Sequence, residues 1–192
     1  NGRVDIGGSL DASAPDGGDG GFIETSAAHV ETSKIAVNAG AAKGKGGEWL
    51  IDPYDYTINA TAATNITNAL NLGTSVTVTT QSNATNYGSA GSASGSGDIT
   101  VASAITKSAG GDASLTLRAE RNIHVNSAIT STANKLNLTL SSAHAAGATV
   151  GGVSVNADLM TNGGKILIGG GSGTPTNGIG YALNLNGTSA AV

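Results

Sequence analysis

The groups of this 192-residue chain that can move a proton or hold a metal ion are thirteen Asp and Glu and three His, with no Cys. Clustered carboxylates on one face would suit glycoside chemistry, which needs two of them flanking the scissile bond. The best local pair is Asp52 and Asp55 around Pro53 and Tyr54, where such residues favour turn capping instead. His29, His124 and His144 are far apart, and His124 stands between Ile123 and Val125, so its side chain points outward on a strand. Arg118, Glu120 and Arg121 are spaced for a lateral surface ion pair, worth at most about 1 kcal/mol. The absence of Cys excludes disulfides and thiolate metal sites. These groups predict no catalytic centre, no cofactor and no metal site, hence no enzyme.

Two further patterns carry weaker chemistry. Asp16 and Asp19 lie in Asp-Gly-Gly-Asp-Gly-Gly, but the nonapeptide of calcium-binding glycine repeats does not recur. Asn59, Asn65, Asn83, Asn137 and Asn186 each open an acceptor sequon, in a chain so rich in Asn and Thr that chance matches are frequent.

The elements that position these residues repeat. Copies begin at Ile99, Ile123 and Val153, each with apolar residues at i and i+2 (Ile99/Val101, Ile123/Val125, Val153/Val155) and another at i+6 (Ile105, Ile129, Leu159). A second apolar strand follows at Leu115/Leu117, Leu136/Leu138 and Ile166/Ile168. The starts are 24 and 30 residues apart, with strand periodicity of two inside each copy, which predicts a solenoid of stacked β-coils rather than helical repeats. Turns of variable length are compatible with that stack, and the six extra residues of the longer interval fall in Ser142 to Gly152. Asp98 then aligns with Asn122 and Gly152, and Asp158 with Ala104 and Ala128, so no acidic column forms among these copies. Asn126 and Asn156 share one post-strand position, where side-chain amides can stack as a ladder.

Composition agrees. Apolar residues make up 39%, charged residues 11% and aromatic residues 3%, so the core must be built from small aliphatics, as a narrow β-helical column is. Thirty Gly and many Ser, Thr and Asn resemble a linker, but regularly placed apolar pairs argue against disorder. A net charge of −4 with nine scattered Lys and Arg excludes a basic nucleic-acid face. No run approaches the roughly 18 apolar residues of a membrane span.

Along the chain, Val4, Ile6 and Leu10 repeat the same spacing, Phe22/Ile23 and Ile35/Val37 begin further strands, and Trp49, Leu50 and Ile51 enter the core before Pro53. Ile66, Ala69 and Leu70 have helical spacing, which predicts one short extra-helical α-helix near 65–72, with Thr64 or Asn65 as cap and Gly73 as terminator. Val76 and Val78 resume the coil pattern, one coil before Ile99. Loops of about 54–73 and 81–97 are expected outside the stack. The expectation is one unit over 1–192, a parallel β-helix of about eight coils and about 40 Å at the usual strand spacing. Without an initiator Met or signal peptide, it reads as a piece of something longer.

Three runs carry a resemblance: Gly21-Phe22-Ile23-Glu24-Thr25-Ser26, then Gly47-Glu48-Trp49-Leu50-Ile51-Asp52-Pro53, then Leu115-Thr116-Leu117-Arg118-Ala119-Glu120-Arg121-Asn122-Ile123-His124-Val125. In this order they resemble large exoproteins of the filamentous haemagglutinin type and the related high-molecular-weight adhesins, over most of residues 1–170. The family's N-terminal secretion signature is not found. The resemblance implies a right-handed parallel β-helix, export by two-partner secretion through an outer-membrane transporter, and a place on the bacterial surface or in the medium. It also implies a stalk that holds binding regions toward a host-cell or glycan receptor, or that carries a toxin in contact-dependent inhibition. No nucleic-acid partner and no membrane insertion are expected.

Overall fold

A computed structural model describes residues 2–81, 95–143 and 151–170 and the backbone of 183–185. The chain winds into a parallel β-solenoid. Its first rung holds β1 (Arg3–Asp11) and β2 (Phe22–Ser26), and its second holds β3 (His29–Asn38) and β4 (Glu48–Asp52). The third has β5 (Tyr56–Ile58), the helix α1 (Ala60–Asn71) and β6 (Ser75–Thr79). Three rungs of three strands follow: β7 (Ile99–Val101), β8 (Ile105–Lys107) and β9 (Ala113–Arg118); β10 (Ile123–Val125), β11 (Ile129–Ser131) and β12 (Leu136–Ser142); β13 (Val153–Val155), β14 (Leu159–Met160) and β15 (Ile166–Gly170). A last strand, β16 (Leu183–Leu185), opens a further rung.

Every strand pairing among the described residues is parallel. One face runs β2-β4-β6-β9-β12-β15, the second β5-β7-β10-β13-β16, the third β8-β11-β14, and β1 pairs with β3. The register matches the repeat in the sequence: Ile99 lies beneath Ile123 and Ile123 beneath Val153, while Ile105, Ile129 and Leu159 form a second column. Leu115 stacks under Leu138 and Leu138 under Ile166. Leu136 stands instead above Ala113, so this copy enters its strand one pair earlier. Inward residues of the central rungs, from Ile99 and Val101 to Leu140, are almost wholly buried, whereas Leu159, Ile166 and Ile168 near the end are half-buried.

Three expectations change. The described residues make six rungs, five turns from β2 to β15, fewer than eight coils. Rungs are longer than the interval between copies suggests, because α1 and wide turns enlarge them: Val76 pairs with Leu115 of the next rung, not with a residue near Ile99. The residue that precedes Ile99 in its column is Tyr56. The helix, moreover, is part of the wall rather than an excursion from it. Ala62, Ala63, Ile66, Ala69 and Leu70 are buried, packed against β3 below and β8 above, where small side chains allow close approach. The loop expected at 81–97 lies for the most part outside the described residues.

The caps explain the limits of α1. Asn59, not Thr64 or Asn65, is the N-cap, its side chain accepting from the Ala62 amide at 3.0 Å. At the other end Gly73 adopts φ +80°, its amide donating to Leu70 O and that of Thr74 to Ala69 O, both at 3.0 Å, the Schellman closure that glycine permits. Trp49, fully buried, donates from Nε1 to Thr25 Oγ1 at 3.1 Å across the first two rungs.

Candidate functional site

The carboxylates lie on the corner that enters the second face. Because Tyr56 stacks under Ile99, and Ile99 under Ile123 and Val153, the residues just before them form a column: Asp55, Asp98, Asn122, Gly152. Each side chain accepts the backbone amide of its successor: Asp55 Oδ1 from Asp98 N at 2.9 Å, Asp98 Oδ1 from Asn122 N at 3.0 Å, and Asn122 Oδ1 from Gly152 N at 3.2 Å. Asp55 also accepts from the Ser96 amide at 2.9 Å, and Asp98 Oδ2 from Ser96 Oγ at 3.2 Å. Arg121 closes on Asp98 with Nε at 2.9 Å and Nη2 at 2.5 Å. Arg121 thus pairs one rung down, because inter-rung spacing brings the 98 and 121 positions together.

Burial pushes the Asp98 carboxyl up, but hydrogen bonds from Arg121 and Asn122 and the guanidinium charge outweigh it and hold it below the usual carboxylate range. The hydrogen bond to Asp98, then its charge, raise Arg121 above its ordinary value. Carboxylates fixed as acceptors of N–H groups are arranged to cap a rung; a general acid would need a proton to give.

Other sequence-predicted positions fall as follows. Asn156 Nδ2 donates to Asn126 Oδ1 at 2.9 Å, rung to rung. His124 sits half-exposed on the outer surface, and His144 lies outside the described residues. His29, Glu31, Asp55 and Asn59 line a shallow cleft of about 140 Å³ against Tyr56. Burial pushes the Tyr56 hydroxyl up to about 12, and it shares a 2.8 Å hydrogen bond with Thr32 Oγ1. Among the described residues no group of three or more His, Asp or Glu could hold a metal ion, and no helix is long and apolar enough to cross a membrane. Asp19 Oδ1 accepts from the Lys45 amide at 2.8 Å, tying two glycine-rich turns together. Of the sequon residues, Asn59 caps α1, Asn65 donates to Thr32 O, and Asn137 Oδ1 accepts from Lys165 N at 3.1 Å; Asn83 and Asn186 lie outside the described residues.

One column escaped sequence reasoning. Lys107, fully buried, stands in register with Ser131 and fills the corner after β8, Nζ donating to Ala109 O at 2.7 Å and Ala133 O at 2.6 Å. Ser131 Oγ donates to Asn134 O at 2.9 Å, and Thr161 Oγ1 to Gly164 O at 2.8 Å, in the corners above. Burial pushes the Lys107 ammonium down, partly offset by Asp112. The signal was in the aligned copies, where Lys107, Ser131 and Thr161 follow the apolar third position by two residues.

A trough of about 480 Å³ lies at the other end of the first face, between the glycine-rich turn before β4 and the outward residues of β6, β9 and β12. Compared with known proteins, the chain matches no family model and no curated protein. The fold stands on its own geometry.

Proposed function

We propose that this chain is a structural and adhesive stalk segment of a secreted bacterial exoprotein, exported through an outer-membrane transporter and holding binding regions away from the cell. The observation that carries it is the stack itself: six rungs joined by one continuous parallel ladder, with side-chain caps linking the third rung to the fourth, the fourth to the fifth and the fifth to the sixth. Such a stack gives length and rigidity from local contacts alone, since each rung needs only its neighbours. The resemblance of the Gly21–Ser26, Gly47–Pro53 and Leu115–Val125 runs to haemagglutinin-type exoproteins supports the setting. The carboxylates support a non-catalytic reading because they cap amides.

The test is incubation of the chain with bacterial and host polysaccharides and with host cells. Attachment without released reducing ends or unsaturated sugars is the expected result. Reproducible turnover would overturn the stalk reading.

A further inference from the structure

We propose that Asn162 is a site of spontaneous covalent modification, its side-chain amide closing on the backbone nitrogen of Gly163 to end as isoaspartate or aspartate. Asn-Gly pairs occur at Asn1, Asn162, Asn177 and Asn186, and Asn162–Gly163 is the pair whose two residues both lie among the described ones. It forms the corner between β14 and β15. Asn162 has φ +50° and Gly163 φ +81°, and Gly164 N donates to Thr161 O at 3.0 Å, the pattern of a type I′ turn. Both residues are exposed, and a Cβ built on Gly163 would meet no atom within 4 Å.

The reaction needs an unhindered amide nucleophile. Glycine offers no side chain to block the approach, and among the described residues Gly163 N has no hydrogen-bond partner. Hydroxide takes the proton of Gly163 N, and that nitrogen attacks Asn162 Cγ. The Cγ–Nδ2 bond breaks, and Nδ2 leaves as ammonia with a proton from water. Water then opens the cyclic imide at one carbonyl or the other.

The rung below supplies the contrast. Asn134 holds the corresponding corner, between β11 and β12, with φ +58°. Its Nδ2 donates to Gly110 O at 2.6 Å, just as Asn162 Nδ2 donates to Asn134 O at 3.1 Å. Its follower, however, is Lys135, whose amide donates to Asp112 Oδ1 at 2.9 Å. The rungs differ as well, since Ile129, Leu136 and Leu138 are almost wholly buried and Leu159, Ile166 and Ile168 only half-buried. Attack requires the turn to leave its left-handed well, and local opening is easier where fewer apolar contacts hold the rung. Two corners of one backbone shape therefore differ in reactivity. Either product lacks the donor to Asn134 O and carries a new negative charge, and isoaspartate lengthens the turn by one methylene. The sixth rung is loosened irreversibly.

The experiment ages the full chain at mildly alkaline pH, folded and in urea, and maps its peptides by mass spectrometry with an assay for isoaspartate. The variant Lys135→Gly accompanies it, giving Asn134 a glycine follower while leaving Asp112 to hold that amide. Expected is a gain of one mass unit at Asn162, mostly as isoaspartate, at a rate that rises with hydroxide. In the folded state Asn134 should convert about ten-fold more slowly than Asn162, in wild type and in Lys135→Gly alike, and in urea the two corners of the variant should converge. Three results would each overturn the proposal: unchanged Asn162 in the folded wild type, equal folded rates at the two corners in wild type, or a difference in the variant that persists in urea.

Discussion

At the scale of single residues, the side chains that matter most reach across rungs. Asp98 joins the Arg121 guanidinium to the Asn122 amide with its side chain only 20% exposed, so Asp98→Asn should cost about 1 kcal/mol in urea unfolding at neutral pH. The sign of its pH dependence is fixed by the lowered folded value: the contribution is complete above the ordinary 3.8 and lost as pH falls through the lower folded pKa. The difference between wild type and variant should therefore close in acid. Lys107→Met retains the buried stem but removes the ammonium donor shared by the Ala109, Gly110 and Ala133 carbonyls, for an expected loss of about 2–3 kcal/mol by the same assay. How far such sites were legible depended on the copies. Asn126 and Asn156 occupy one position in consecutive copies, so their juxtaposition could be read directly. Asp55 and Asp98 could not, because the long third rung separates them, and Lys107 was hidden by its type, since lysine rarely goes inside unpaired.

At the scale of elements, α1 replaces the strand that later rungs place between their first and last strands. Spacing at Ile66, Ala69 and Leu70 and the stop at Gly73 made the helix readable, but its first turn carries only small residues and Asn59, so its start and buried role were not. Alanine at Asn59 should cost about 1 kcal/mol through the lost cap. Ile66→Ala should cost about 2–4 kcal/mol, because a fully buried side chain between β3 and β8 leaves a cavity, and thermal unfolding would register both. The three-strand rungs were legible because period-two apolar pairs recur at fixed offsets. The third rung was not, since its Tyr56/Ile58 pair lies much farther from Ile99 than the interval between copies and the helix carries no period-two pair.

For the whole molecule, charge is distributed along the axis. From the start of the chain to Ser26, Arg3 stands against Asp5, Asp11, Asp16, Asp19 and Glu24, which is the entire net charge of −4. The first rung, in which β1 and β2 each pair on one side within this chain, also carries half-buried Ile6, Leu10 and Ile23, so its acids oppose edge-to-edge pairing between copies of this chain. Replacing Asp5, Asp11 and Glu24 by their amides should produce concentration-dependent self-association in sedimentation, where wild type shows none at neutral pH and low salt.

Single-molecule extension from the two ends tests the stalk most directly. Each rung touches mainly its neighbours, so the chain should yield in successive steps rather than at once. The Leu115–Leu138 pairing closes a short rung and the Val76–Leu115 pairing a long one, so steps of about 80 to 130 Å of contour length are expected at the usual strand rise. A single all-or-none rupture, or extension without measurable resistance, would contradict a shaft built from stacked rungs.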